Sequence, residues 1–153
     1  MRRVLLAFVV VLGAVSAWAQ TDPAVGTWKM NAAKTKYDPG PAPKSNTIVI
    51  TAVPNGVKVS AKGVDGEGKP TSTDYTVKYD RKSVPVKGPA AYDSVSASRI
   101  DPNTTQLERK KAGKVVQTAT RAVSSDGKTM TVTTTGTDEK GRKINTVAVF
   151  DKQ

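Results

Sequence analysis

From Thr47 onward the chain breaks, about every 8–12 residues, into short Val- and Thr-rich runs parted by Gly, Asn, Asp or Pro. That punctuation leaves helix little room and predicts an all-β protein, an antiparallel up-and-down barrel of about 8–10 strands or, alternatively, a two-sheet sandwich. Strands are expected over 25–30, 47–52, 57–62, 71–79, 83–86, 94–100, 104–111, 114–123, 129–135 and 143–150. The separators Pro54-Asn55-Gly56, Asp101-Pro102-Asn103, Ala112-Gly113 and Ser125-Asp126-Gly127 supply the fixed or positive φ of tight turns. Neighbouring strands joined by such turns are antiparallel.

Two segments interrupt the meander. Asn31 is expected to cap a turn or two of helix through residues 32–36, before Asp38-Pro39-Gly40-Pro41-Ala42-Pro43 extends the chain into a crossover. Residues 87–93, with Gly88, Pro89 and Tyr92, close one end of the sheet. Residues 57–80 and 130–151 also share a pattern, a strand followed by Gly-x-Asp-x-x-Gly-Lys/Arg and a second strand. A duplication would produce it, and so would two hairpins with alike turn demands.

Residues 1–19 read as an export signal: Arg2 and Arg3, an apolar run from Val4 to Val15, and the small-x-small site Ala17-Trp18-Ala19 before Gln20. The run is shorter than the roughly 20 residues of a membrane helix. Residues 20–153 suit one domain, periplasmic or secreted, that buries about two-thirds of its unfolded surface. Cleavage takes two arginines and no acid, lowering the net charge from +11 to +9. With no cysteine, neither disulfides nor a lipid-modified cysteine can hold or anchor it.

The absence of histidine and cysteine also removes the usual bases and transition-metal ligands, so no catalytic residues, no metal and no cofactor are expected. Asp65, Glu67, Asp138 and Glu139 sit in glycine-containing turns without the ligand spacing of a calcium loop, and read as solvated hairpin tips. The positive charge lacks the interleaved aromatic platforms of a nucleic-acid surface, so no nucleic-acid partner is expected. It is compatible with weak association with an anionic envelope surface.

Alternation separates the basic residues. Lys58, Lys62, Lys78 and Lys110 oppose apolar neighbours and face water, whereas Arg99 shares its parity with Val95 and Ala97, Arg109 with Leu107, and Arg121 with Val115, Ala119 and Val123. Tyr75 and Tyr79 share the face of Val77. Guanidinium groups inside a barrel need partners, interior acids are scarce, and a ligand carboxylate or phosphate fits the planar fork.

The start Val25-Gly26-Thr27-Trp28-Lys29-Met30-Asn31 resembles the Gly-x-Trp opening of the calycins, the superfamily of lipocalins and fatty-acid-binding proteins. Lys36-Tyr37-Asp38-Pro39-Gly40 and the ending from Asp126 to Asp151 are similar to small exported bacterial lipocalin-like proteins. The resemblance implies that Gly26 and Trp28 close the barrel floor, with an arginine of a late strand stacked on the indole, Arg121 first and Arg99 second. It implies a monomer that binds a small hydrophobic or amphipathic ligand, an anionic one included, without catalysis, and the inward-facing Arg99, Arg109, Arg121, Tyr75 and Tyr79 are the residues expected to line its site. The alternative is a pocketless module adhering to acidic envelope polymers or anionic membranes through its basic surface. The crossover, too rich in proline, cannot supply the helical lid of fatty-acid-binding proteins, and Thr73-Asp74-Tyr75 imitates a second lipocalin motif in a place where a strand is expected.

Overall fold

The computed structural model describes residues 21–89 and 91–153; the export-signal reading of residues 1–19 lies outside them. The expected strands form at β1 (Gly26–Met30), β2 (Ser45–Val53), β3 (Gly56–Val64), β4 (Pro70–Lys78), β5 (Val84–Pro85), β6 (Ser94–Asp101), β7 (Thr104–Lys111), β8 (Lys114–Val123), β9 (Thr129–Thr137) and β10 (Lys143–Lys152). They make one antiparallel sheet in the order β4-β3-β2-β1-β10-β9-β8-β7-β6-β5. Every ladder joins strands consecutive in the chain except the seam, where β1 lies against β10 with Trp28 opposite Lys152 and Met30 opposite Phe150. The sheet thus curls into an up-and-down barrel, and the sandwich alternative falls.

The remaining opening, between β4 and the short edge strand β5 with the part of β6 it leaves uncovered, is closed by single bonds rather than by a ladder. Lys87 exchanges both backbone bonds with Asp74, and the Arg81 amide donates to the Ala97 carbonyl. Gly88 lies against β4 so closely that a Cβ would sit 1.9 Å from the Ser72 oxygen. This is the closing role expected of residues 87–93.

Directly paired residues of an antiparallel sheet share a face, so the register gives the inner wall row by row. One row runs Phe150–Met130–Val123, the next Ala148–Val132–Arg121–Thr105–Arg99, then Thr146–Thr134–Ala119–Leu107–Ala97, then Gly136–Gln117–Arg109–Val95. Across the seam Ile50–Val59–Tyr75 and Ala52–Val57–Val77 continue the wall. Trp28, Ile50, Val57, Val77, Met130 and Phe150 are buried, and each ring or branched chain so placed contributes about 2–3 kcal/mol of transfer free energy. Ile48, Ala61, Tyr75 and Val132 also point inward yet keep partial exposure, so the barrel is packed around Trp28 and leaves accessible inner wall beyond it.

Two sequence expectations are corrected. Residues 32–36 form no helix: Asn31 starts a single turn, accepting the Lys34 amide, after which Lys36 bridges Val147. The free backbone edge of β10 competes for those amides and outweighs a helix too short to nucleate. Val115 does not share the inward face of Arg121; it is 51% exposed. A bulge in the β7–β8 ladder takes Arg109 to Gln117 but Lys110 to Val115, which reverses the alternation at that strand's start.

The two Gly-x-Asp-x-x-Gly turns are built alike. Asp65 Oδ1 accepts the amides of Glu67 and Lys69 at 2.9 and 2.8 Å, and Asp138 Oδ1 those of Lys140 and Arg142 at 2.9 Å each. The carboxylates organise their own hairpins.

Candidate functional site

The floor is the best-defined part of the inner wall. Trp28 is fully buried, and its indole N–H donates to the Ala24 carbonyl at 2.8 Å. The cation over the indole is not Arg121 or Arg99, as the resemblance implies, but Lys152, whose Nζ lies 5.1 Å from the ring centroid. The register brings it there, since β10 runs two residues past Phe150. Gly26, at φ 142°, leaves the space: a Cβ there would meet Lys152 Cε at 2.7 Å. Gly26 and Trp28 lie together at the floor, with Lys152 rather than an arginine over the indole.

Above the floor, three arginines occupy distinct positions. Arg121 is only 4% exposed; its Nη2 lies 3.4 Å from the Tyr79 hydroxyl, and its Nε has no hydrogen-bond partner. Arg109, half-buried, lies over the Tyr92 ring at 5.0 Å and donates from Nη1 to Gln117 Oε1 at 3.0 Å. Gln117 is fixed for this, because its Nε2 donates to the Thr137 carbonyl at 3.0 Å, leaving the oxygen to the guanidinium. Arg99 sits near the end of β6 by the floor, 4.3 Å over the Tyr79 ring, paired through Nη2 with Asp22 at 2.5 Å and through Nη1 with the Pro102 carbonyl at 2.8 Å. Among the described residues only Arg99 of the three has a carboxylate; Arg109 and Arg121 have none.

The chain's four tyrosines gather around these groups. Burial pushes the Tyr75 hydroxyl above its ordinary range while Arg121 and Arg109 pull it down. Burial likewise raises Tyr37 against the pull of Arg109, and raises Tyr79 together with its hydrogen bond to Asp22. Burial would also raise Asp22, but bonds from Tyr79 and the Ala24 amide, with the Arg99 charge, hold it below the usual carboxylate range.

A phenol whose folded pKa is raised keeps its proton longer in the fold than in the unfolded chain, so its contribution to stability is intact below about pH 10 and is lost as pH rises further. Spectrophotometric titration of tyrosinate should show Tyr37, Tyr75 and Tyr79 ionising later in the folded protein than in denaturant, with alkaline unfolding releasing them together. Ionisation of all tyrosines at the denatured value would contradict the cluster.

The structure thus brings together Tyr75, Tyr79, Arg109 and Arg121 and sets Arg99 beside the floor with an acid already on it. Sequence reasoning missed Asp22, Tyr37, Tyr92, Gln117 and Lys152. The first three lie outside regular strands, where alternation carries no signal; Gln117 shares the inward parity of Ala119 and Arg121, but only the bulge sets it opposite Arg109.

Beside the floor, a cleft of about 690 Å³ opens between residues 21–23, the β2–β3 turn, Tyr79, Arg99 and Pro102.

No protein-family model matches the chain, and no curated protein matches it in sequence. Among solved structures, the zebrafish ileal bile acid-binding protein complexed with cholic acid aligns with a TM-score of 0.51 at 8% identity, over 86% of this chain and 99% of that one. At that identity the likeness is one of fold, and together with the ten-stranded antiparallel meander it gives the conclusion that the chain has a calycin-like, up-and-down β-barrel fold.

Proposed function

We propose that the barrel binds, without catalysis, a small amphipathic ligand carrying an anionic group, with Arg121 and Arg109 on the anion and Tyr75 as a hydroxyl donor beside them. The observation that carries this reading is the Arg121 guanidinium: buried, without a carboxylate, and with one N–H unpartnered. Such a group is costly to the empty fold and becomes favourable once an anion completes its bonds. The part-exposed inner wall at Ile48, Ala61, Tyr75 and Val132 offers the apolar remainder of the ligand a surface to cover. The solved neighbour was crystallised with cholic acid, which supports an amphipathic occupant of this type of barrel.

The export signal read from residues 1–19 belongs to the same proposal and places binding in the periplasm or medium. The test compares a fluorescent long-chain acid with its methyl ester, alongside native mass spectrometry of protein purified from its own host. Tighter binding of the acid by at least about tenfold, equivalent to 1.4 kcal/mol, supports the reading. Equal weak binding of both, with anionic vesicles binding instead, would hand the function to the basic exterior.

A further inference from the structure

The residues before β1 do something the interior reading does not require. Asp22 lies against the floor, and its Oδ2 accepts from both the Tyr79 hydroxyl and Arg99 Nη2. The same carboxylate's Oδ1 takes the Ala24 amide at 2.9 Å, and Ala24 in turn accepts the Trp28 indole. Residues 21–25 are therefore held at the floor by the Asp22 side chain, the buried Ala24 methyl and a few local bonds, with no strand ladder.

Three observations converge on what that side chain is holding. First, a single carboxylate oxygen serves two donors, whereas a free carboxylate or sulfate would offer Arg99 and Tyr79 an oxygen each. Second, the Tyr79 hydroxyl is also the nearest partner of Arg121, whose buried Nε remains unpartnered, so the donor array continues beyond what Asp22 satisfies. Third, the 690 Å³ cleft lies beside Asp22, Tyr79 and Arg99, with residues 21–23 as one wall and Ala52, Val53 and Pro102 among the others, and its size lies within the range of small-molecule sites.

We propose that residues 21–25 are a displaceable plug: the Asp22 carboxylate occupies, from within the chain, an anion seat formed by Arg99 and Tyr79, and an anionic amphiphile seats its headgroup there when the plug is displaced, its apolar part against Ala52, Val53 and Pro102, the cleft walls that the plug does not supply. This rests on the reading that the protein takes an anionic amphiphile, and it adds a second seat at the floor end, governed by competition with Asp22.

The experiment uses 11-(dansylamino)undecanoic acid and its methyl ester as probes. Asp22→Asn keeps the Oδ1 acceptor for the Ala24 amide but removes the competing charge. It should raise affinity for the acid by about tenfold while leaving the ester unchanged, and Asp22→Asn/Arg99→Gln should lose that gain. In the wild-type protein, saturating acid should weaken the exchange protection of the Ala24 amide and of the Trp28 indole N–H. An acid affinity unmoved by Asp22→Asn, a gain shared by the ester, or a gain that survives Arg99→Gln overturns the plug, as does unchanged protection of both N–H groups. Arg121→Met and Arg109→Met keep the two claims apart. If they abolish acid binding while Asp22→Asn is inert, the interior site stands and the plug falls. If they are inert while the Asp22–Arg99 cycle holds, the floor seat stands and the interior site falls.

Discussion

Replacing Trp28 by alanine is expected to lower the unfolding free energy by about 3–5 kcal/mol, the range for removing a large buried aromatic. The site cannot collapse to refill the space. Trp28 is fully buried in the β-strand that joins both halves of the barrel, with Ile48 opposite it on β2 and Lys152 opposite it on β10. The substitution also removes the donor to the Ala24 carbonyl and the surface under Lys152. Trp28→Phe refills most of the volume but not the hydrogen bond, and should fall between the two. Urea unfolding followed by far-ultraviolet circular dichroism measures both. A loss below about 1 kcal/mol for the alanine variant would show that the floor is not where the barrel's stability is concentrated.

The second large effect is expected at Arg121, with opposite signs for fold and function. Arg121→Met removes a buried charge that has no carboxylate partner and keeps much of the side chain's volume. The empty barrel should be as stable as the wild type, or more stable by up to about 4 kcal/mol. Affinity for the anionic probe should fall by about 2–5 kcal/mol, the cost of truncating one partner of a buried, hydrogen-bonded charge pair. Paired denaturation and titration curves decide it. A variant that loses stability while binding the acid unchanged would make Arg121 a structural group, held by Tyr79, and would remove the main support for an interior anion site.

The strand plan was legible because each run alternates Val or Ala with Thr or Lys and ends at a residue with a defined turn role, as at Asn55, Gly113 and Gly127. Alternation also placed Arg109 and Arg121 inward. It could not place what depends on a bulge or a register: Gln117 beside Arg109, and Lys152 over Trp28, where the strand runs past its last large apolar residue. Asn31 carried a sound local capping signal, but the turn stops after one round because Val147 and Val149 offer strand partners that a window of a few residues does not contain. Asp22 was invisible for a related reason. Its meaning lies in Arg99 and Tyr79, side chains far along the chain and outside any motif.

The β1–β10 seam also sets an order of events in time. All other ladders join strands consecutive in the chain and can form as local units, whereas the seam brings together groups such as Asn31 and Asp151, 120 residues apart. Closing so long a loop carries its entropic cost before the floor contacts can compensate for it. The curled meander should therefore assemble first and zip shut last. On that route the floor is absent from the folding transition state, so losing the Trp28 ring should accelerate unfolding while leaving the refolding rate nearly unchanged in stopped-flow measurements. A refolding rate that drops in proportion to the lost stability would instead make the seam the nucleus. With the seam closing last, the barrel's lifetime once shut is governed by the few residues that latch its first strand to its last.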